Sequence, residues 1–470
     1  MDLASDLADI VGERLSCSSA ELYCYSCDAS QVRGRPEYVV RPKDRDEVSM
    51  IMALAFEKRV PVTPRGAGTG LAGGAVPLKG GIVLDLSSMD RILEIDCSCR
   101  QVLVEPGVVR DRLNLALLPS GLFFPPDPGS SAMCSIGGLL ANNGSGMHCV
   151  KYGTTRDYAL DLEIVLADGS VIHTGSQVLK SSAGYDLTRL FIGSEGTLGV
   201  ITAARLRVVP LPKARRLVLA AFRSPEEAGL AVNRVLSAGI VPAACEILDR
   251  TTVEVLHRCD PHLALPTADL ILFEADGEPT AVLDEAARIE EVCLQSAISI
   301  DTASEAAEME EVWAARRLVG AAVSRLDPKK TRIYVGEDVG VPVGMMPVLI
   351  RRVQEISEDA GISAMKYGHI GDGNLHVALF VDLSDEAEVE RAKLAAHRIH
   401  LAALDLGGTV SAEHGVGRAR SSYMRLQWGG ALDVMRAIKR ALDPRGILNP
   451  GKLDLGSGTD CDTADAGAGL

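Results

Sequence analysis

Apolar positions along the chain follow two different periods. From Pro36 to about Pro212, short runs rich in β-formers, GGIVLDLS, QVLVEPG and LEIVLADGSVI, are separated by glycine-rich turns, the texture of strands joined by tight connections. One stretch breaks this texture. DRDEVSMIMALAFEKR has an acidic start followed by apolar residues at helical spacing, and it leads into VPVTPRGAGTGLAGG. Residues 5–15 predict a short amphipathic helix, and a polar, turn-rich segment follows over 26–36. The pattern predicts one α+β domain over 36–212, preceded by an N-terminal helical segment over 1–35.

The prolines of VVPLPKARR (208–216) mark a boundary, and the texture then changes. Strand-like RLVLAAF precedes a helix over 224–238, then ADLILFEAD, then a helix from Thr280 to about Ser296. Next come a helix bearing Trp313, the strand KTRIYVGEDV, a helix over 343–360, a hairpin, and a helix over 385–406. Strands and helices in this order predict a second α+β domain over 213–410, built on an open antiparallel sheet. Residues 411–455 are expected to return to the first domain. The final stretch, 456–470, is small, polar and acidic, and reads as a disordered tail. No internal repeat is visible.

At 470 residues the chain exceeds what one core usually holds, in keeping with two domains. Its net charge of −15, without a basic run, argues against nucleic acid and anionic membranes as partners. The opening MDLASDLADI lacks a basic n-region, and no apolar run reaches about eighteen residues. A soluble cytoplasmic protein without an integral membrane segment is the expectation. The eleven cysteines are scattered and odd in number, as reduced thiols would be. The pair Cys24-Tyr-Ser-Cys27 stands alone and reads as two ordinary thiols. An iron–sulfur cluster needs about four closely placed thiolates, so none is expected in this chain.

PRGAGTGLAGG (64–74) holds five glycines in eleven residues. Such a loop lets the backbone approach an anionic ligand and aim N–H groups at it. It lacks the Gly-Lys-Ser/Thr close of a P-loop and the following helix of a dinucleotide turn. Alone it is equally a phosphate cradle or a structural loop. Two more stretches change the balance: PPDPGSSAMCSIGGLLANNGSGMHCVKYG (125–153) and LFIGSEGTLGVIT (190–202). Three such loops in one domain point to a long ligand that touches several turns, as a dinucleotide does.

The stretch MKYGHIGDGNLH (365–376) places two of the chain's nine histidines around an Asp-Gly turn. A tight turn centred on Asp372-Gly373 would pair His369 with His376 and set their side chains about 5 Å apart on one face. Asn374 would share that face. A chance pair of histidines is the competing reading, because two ligands make an incomplete metal site. SAEHGVG (411–417) offers Glu413 and His414 at a strand-to-glycine turn as further candidates. Two histidines and one carboxylate leave coordination positions open, which suits catalysis.

Taken in order, PRGAGTGLAGGAVP, PPDPGSSAMCSIGG, NNGSGMHCVKYG, GSEGTLGVIT, GHIGDGNLH, SAEHGVGR and NPGKL resemble the FAD-dependent D-2-hydroxyacid dehydrogenases. That group includes the flavin subunit of glycolate oxidase, D-lactate dehydrogenases and D-2-hydroxyglutarate dehydrogenases, within the vanillyl-alcohol oxidase type of flavoprotein. The resemblance covers residues 36–453. It implies an α+β two-domain flavoprotein, with an FAD-binding domain and an α+β substrate or cap domain on an antiparallel sheet. Arg65, Gly66, Gly68, Thr69 and Gly70 would cradle the FAD pyrophosphate. Pro128, Ser135, Gly137, Gly138, Asn142 and Gly144 would line the flavin, with Glu195, Gly196 and Ile201 in the third contact loop. The first loop has Thr69 and no histidine or cysteine, so noncovalent FAD is expected.

The resemblance also implies His369, His376 and Glu413 as divalent-metal ligands and His414 as the catalytic base. The mixed donor set favours Zn²⁺ or Mn²⁺, allows Fe²⁺ or Co²⁺, and suits Mg²⁺ less. In EEVWAARRLVG (310–320), Arg316 matches the arginine that holds the substrate carboxylate. Without the resemblance, Arg316 and Arg317 would read as a solvated basic face paired with Glu310 or Glu311. Asn374 is a further substrate candidate. Lys452 reads either as a flavin or substrate contact or as a surface lysine.

Hydroxyglutarate oxidisers carry a threonine four residues after the arginine and a lysine on the next strand. Here Gly320, Gly336 and Glu337 stand in that region, followed by Asp338. A second substrate carboxylate would meet Glu337 and Asp338, so D-lactate or glycolate is favoured over D-2-hydroxyglutarate. Rival readings are a nonredox metal hydrolase or lyase, and a non-catalytic flavin-carrying subunit of an electron-transfer complex. Electrons would leave to an iron–sulfur subunit, an electron-transferring flavoprotein, a quinone or oxygen. Oligomerisation is compatible with this reading.

Overall fold

The computed structural model describes residues 2–326, 329–333 and 338–456. The chain divides into two compact units. The first takes Met1–Ser145, Thr154–Leu211 and Glu413–Leu470, and the second takes Gly146–Gly153 and Pro212–Ala412, within the described residues. The tail expected over 456–470 lies, past Gly456, outside the described residues.

In the first unit a four-stranded sheet runs in the order Leu15–Ser16, Tyr38–Val40, Ile82–Asp85, Val62–Arg65. Its last three strands are parallel, so the chain must cross over between them. The helix Arg45–Lys58 makes one crossing. Asp44 caps it by accepting from the Glu47 amide at 3.0 Å, and Arg59 ends it in the left-handed region. Val48, Ile51, Met52 and Ala55 form its buried face, against Ile82 and Leu84. Leu7 and Val11 of the first helix join this same core. That helix spans Leu3–Val11, not 5–15, because Gly12 turns to a φ of 60° and stops it. A second, five-stranded antiparallel sheet runs Ile92–Asp96, Gln101–Val104, Val200–Arg207, Ala159–Val165, Val171–His173.

The second unit is built on one antiparallel sheet in the order Ser299–Ala303, Ala214–Phe222, Asp269–Gly277, Ala244–Leu248, Ala364–Gly368, Asn374–Asp382, Lys330–Ile333. Asp338–Gly340 also pairs with Asn374–Asp382. Four helices, Pro225–Ser237, Pro279–Cys293, Met346–Ala360 and Glu386–Asp405, pack Val232, Ile289, Val353 and Ile399 onto one face of the sheet. The helices Arg250–Cys259 and Ala306–Leu326 pack Leu256, Trp313 and Val319 onto the other. With both faces covered, the central strands read as continuous apolar runs. Glu246 and Glu274 break those runs, and both are fully buried.

The hairpin register differs from the sequence expectation. His376 pairs with Tyr367, and Ile370–Asp372 forms a single 3-10 turn, so the loop is wider than a two-residue Asp-Gly turn. The Asn374 amide donates to the His369 carbonyl at 3.1 Å. Gly373, at φ 89°, supplies the left-handed position, and a side chain there would strike the Val341 carbonyl.

Candidate active site

In the first unit, the strand Val62–Arg65 delivers the chain into the first glycine loop. The Arg65 guanidinium donates to the Cys27 carbonyl at 2.8 Å and stacks over Tyr25. A Cβ on Gly68 would fall 2.2 Å from Arg65 Nη2, and one on Gly66 would fall 2.2 Å from Ser135 Oγ. Ser135 accepts from the Gly138 amide at 3.3 Å and so caps Ile136–Asn142. The first two loops therefore touch, and glycine alone permits the approach. Gly70 sits against Asn142, with an added Cβ 3.9 Å from its Nδ2. This backbone-walled surface fits a pyrophosphate, which needs close N–H approach and no intruding side chain.

Other residues in these loops have structural employment. Gly137 donates to the Pro106 carbonyl at 2.8 Å and leaves no room for a Cβ there. Gly144 packs on Leu139, and Pro128 accepts from the Ser131 amide. Gly196 faces Pro64, and Ile201 is buried in Val200–Arg207. Glu195, at φ 52°, accepts from the Val416 and Gly417 amides at 2.7 Å each. It thus ties the third loop to the C-terminal segment, and burial pushes its carboxyl up. Thr69 follows Gly68 in the first loop.

Lys452 is not on the surface. It is 1% exposed and donates to the Val76 carbonyl at 2.5 Å. Burial brings its ammonium down to about 7, against the opposing pull of Asp28 and Glu195. Also in this unit, Ser145 donates to Glu413 Oε2 at 3.1 Å, and His414 Nε2 lies 3.5 Å from Glu413 Oε1. Gly415, at φ 80°, turns the chain directly after them.

In the second unit the rings of His369 and His376 meet edge to face, with centroids 5.2 Å apart, and both are buried. Tyr367 packs on His376, with ring centroids 5.3 Å apart. Glu246 Oε1 lies 2.6 Å from His369 Nδ1, and its Oε2 accepts from Arg316 Nε at 2.7 Å. Burial alone would raise the Glu246 carboxyl, but the charges of His369 and Arg316 outweigh it and hold it lowered. In the neutral ring, a carboxylate on Nδ1 holds the proton there and leaves the lone pair on Nε2. Arg316 is buried over the Tyr367 ring, and among the described residues its two terminal nitrogens bond no protein group. Arg317, by contrast, is exposed and pairs with Glu310.

Glu274, two strand positions further along this face, binds Arg215 through both oxygens and accepts from Trp313 Nε1 at 2.9 Å. His148 Nε2 adds a contact at 3.3 Å. Burial would raise Glu274, yet His148 and Arg215 together bring it to about 2. Asp338, the ladder partner of His376, accepts from Asn374 Nδ2 at 2.8 Å, Ser411 Oγ at 2.6 Å and the Ala412 amide at 3.0 Å. Its carboxylate thus accepts from three protein donors. Gly336 and Glu337 lie outside the described residues, and Gly320 is exposed on Ala306–Leu326.

Sequence reasoning missed Glu246, Glu274 and the anchoring role of Asp338. A signal was present: in ACEIL and LILFEA, Glu246 and Glu274 each stand among apolar strand residues, where burial demands a partner.

The glycine-lined loops of one unit and the histidine-bearing sheet of the other define a flavin-linked oxidoreductase. Residues 36–175 match the FAD binding domain, and residues 211–453 match the C-terminal domain of FAD linked oxidases. The chain belongs to this family. It is 40% identical over 459 residues to the glycolate oxidase subunit GlcD of Bacillus subtilis, covering 96% of each chain. It is 35% identical over 425 residues to a D-lactate dehydrogenase of Archaeoglobus fulgidus, covering 88% of this chain and 90% of that one. Among solved structures, 4-ethylphenol oxidase from Gulosibacter chungangensis superposes with a TM-score of 0.79 at 22% identity, over 96% of each chain. The fold is therefore of the vanillyl-alcohol oxidase type. No helix among the described residues is long and apolar enough to cross a membrane.

Proposed function

We propose that this chain oxidises a short 2-hydroxy acid, D-lactate or glycolate, to the 2-oxo acid. The observation that carries this reading is the shared carboxylate of Glu246, which aims a histidine donor with one oxygen and holds a buried arginine with the other. The relatives named for glycolate and D-lactate support the substrate class.

His369, His376 and Glu413 would hold a divalent metal, Zn²⁺ or Mn²⁺, and the glycine loops would hold FAD noncovalently. When bound, FAD accepts a hydride at N5, and the metal supplies Lewis acidity toward the substrate hydroxyl. Support for including Glu413 comes from chain connectivity. Ser411 and Ala412 are hydrogen-bonded to Asp338, the ladder partner of His376, and Glu413 is the next residue.

Arg316 pairs with the substrate carboxylate through its terminal nitrogens, which its Nε contact leaves available for a planar fork. His414, whose Nε2 lies 3.5 Å from Glu413 Oε1, takes the hydroxyl proton. Asn374 is held by Asp338 and the Val339 carbonyl, a fixed amide on the strand that carries His376. Electrons then pass to a separate acceptor, an iron–sulfur subunit, an electron-transferring flavoprotein or a quinone. The Bacillus relative is itself described as a subunit, which favours a protein partner.

Anaerobic titration with D- and L-2-hydroxy acids tests the reading through flavin bleaching. D-lactate or glycolate bleaches the flavin and EDTA abolishes the effect. Bleaching by L-acids, or indifference to EDTA, overturns it. Acid precipitation releases the yellow colour into the supernatant if FAD is noncovalent.

A further inference from the structure

Glu246 has one charge and two buried clients. Its Oε1 meets His369 Nδ1 at 2.6 Å and its Oε2 meets Arg316 Nε at 2.7 Å, with the carboxylate itself wholly inaccessible to solvent. We propose that Glu246 is a positioning residue that couples the metal-ligating histidine to the carboxylate-binding arginine, so that one side chain sets both metal affinity and substrate affinity. This rests on the function proposed above.

The arrangement is built, not incidental. Glu246 sits mid-strand in Ala244–Leu248, with Ala244, Leu248, Leu270 and Leu272 around it in the apolar layer. A carboxylate in that layer is costly unless both oxygens are matched to donors. Tyr367 completes the frame: its ring lies 5.3 Å from the Arg316 guanidinium carbon and packs against His376. Arg316 and His369 come from elements far apart in sequence, and both bond this carboxylate.

The shared charge also has a direction. When a substrate carboxylate draws the Arg316 guanidinium toward itself, the contact with Glu246 weakens. More of the Glu246 charge then falls on His369 Nδ1–H, and the imidazole becomes a stronger donor at Nε2. By reciprocity, whatever tightens the metal also favours the carboxylate.

Glu246→Gln keeps the size of the side chain but serves only one client, since its amide group cannot accept from both donors. Its metal affinity, read by chelator competition with Zn²⁺ on apo-metal protein, is expected to fall about 10- to 100-fold, with KM for the hydroxy acid raised alongside and FAD content unchanged. Arg316→Lys is expected to raise KM while metal affinity stays near wild type. If Glu246→Gln leaves either quantity at its wild-type value, the coupling role is wrong. If His369→Ala itself leaves Zn²⁺ affinity unchanged, the metal reading fails, a separate outcome. One measurement needs no variant: ¹⁵N histidine spectra of the metal-stripped wild-type protein show His369 as the Nδ1–H tautomer, and the Nε2–H tautomer overturns the proposal.

Discussion

The imidazoles of His369 and His376 stand edge to face with centroids 5.2 Å apart, although the two residues are not partners in the strand ladder. The six-residue excursion between Tyr367 and Asn374, with one 3-10 turn inside it, swings His369 back over the strand that carries His376. Proximity is thus achieved by the loop and by the Glu246 contact, not by strand register.

Removing one imidazole tests the pair. His369→Ala and His376→Ala are each expected to lower the metal content of purified protein, measured by elemental analysis, with the flavin spectrum retained. Substrate-dependent bleaching slows by about two orders of magnitude or more in parallel. A variant that keeps both its metal and its rate removes that histidine from the site.

Arg316→Lys preserves a cation for Glu246 but loses the planar fork. KM for D-lactate or glycolate is expected to rise about tenfold or more, equivalent to at least about 1.4 kcal/mol, with a smaller change in kcat. Steady-state kinetics decide this, and an unaltered KM would show that the substrate carboxylate lies elsewhere.

Thiol labelling reports the burial pattern. Cys134 is pushed up to about 11 and Cys293 to about 12 by burial, and Cys245 is fully buried and likewise raised well above the ordinary thiol value. Cys17, Cys24, Cys97 and Cys99 are exposed. Brief treatment with a maleimide near pH 7.5, read by peptide mass spectrometry, is expected to mark the exposed four and spare the buried three. Rapid labelling of Cys245 would contradict the packing beneath Gly371.

Lys452 gives the first unit a pH-dependent stability of definite sign. Folded, its ammonium is lowered to about 7 from the ordinary 10.5. Between these values the unfolded chain binds more protons than the folded one. Stability from this group therefore rises with pH from about 7 to about 10 and is lowest below 7. Lys452→Met is expected to flatten that rise in thermal melts followed across this range. A slope identical to wild type would mean that Lys452 stays charged when folded.

Much of the architecture was legible because it follows from local pattern. The helices over 224–238, 343–360 and 385–406 were placed within a few residues of Pro225–Ser237, Met346–Ala360 and Glu386–Asp405, since apolar residues at helical spacing and capping signals lie within the segments themselves. The hairpin register was not. An Asp-Gly pair admits a two-residue turn on local grounds, but the packing of Gly371 against Cys245 and of Gly373 against Val341 imposes the wider loop. Arg316 and Arg317 were likewise alike in sequence. Only their placement around the helix Ala306–Leu326, one buried and one exposed, separates the one that meets Glu246 from the one that meets Glu310.

By itself, the sequence determined the strand and helix content, the three glycine loops and the residue types able to bind a flavin, a metal and a carboxylate, because spacing and side-chain chemistry are local properties. Tertiary structure decided which of those residues share a charge. Glu246, Arg316 and His369 are separated by 70 and 123 positions from one another along the two contacts, and a buried carboxylate chooses its partners only once the sheet has closed over it. The same holds for Lys452, whose depressed ammonium is a property of the core it is folded into and not of NPGKL.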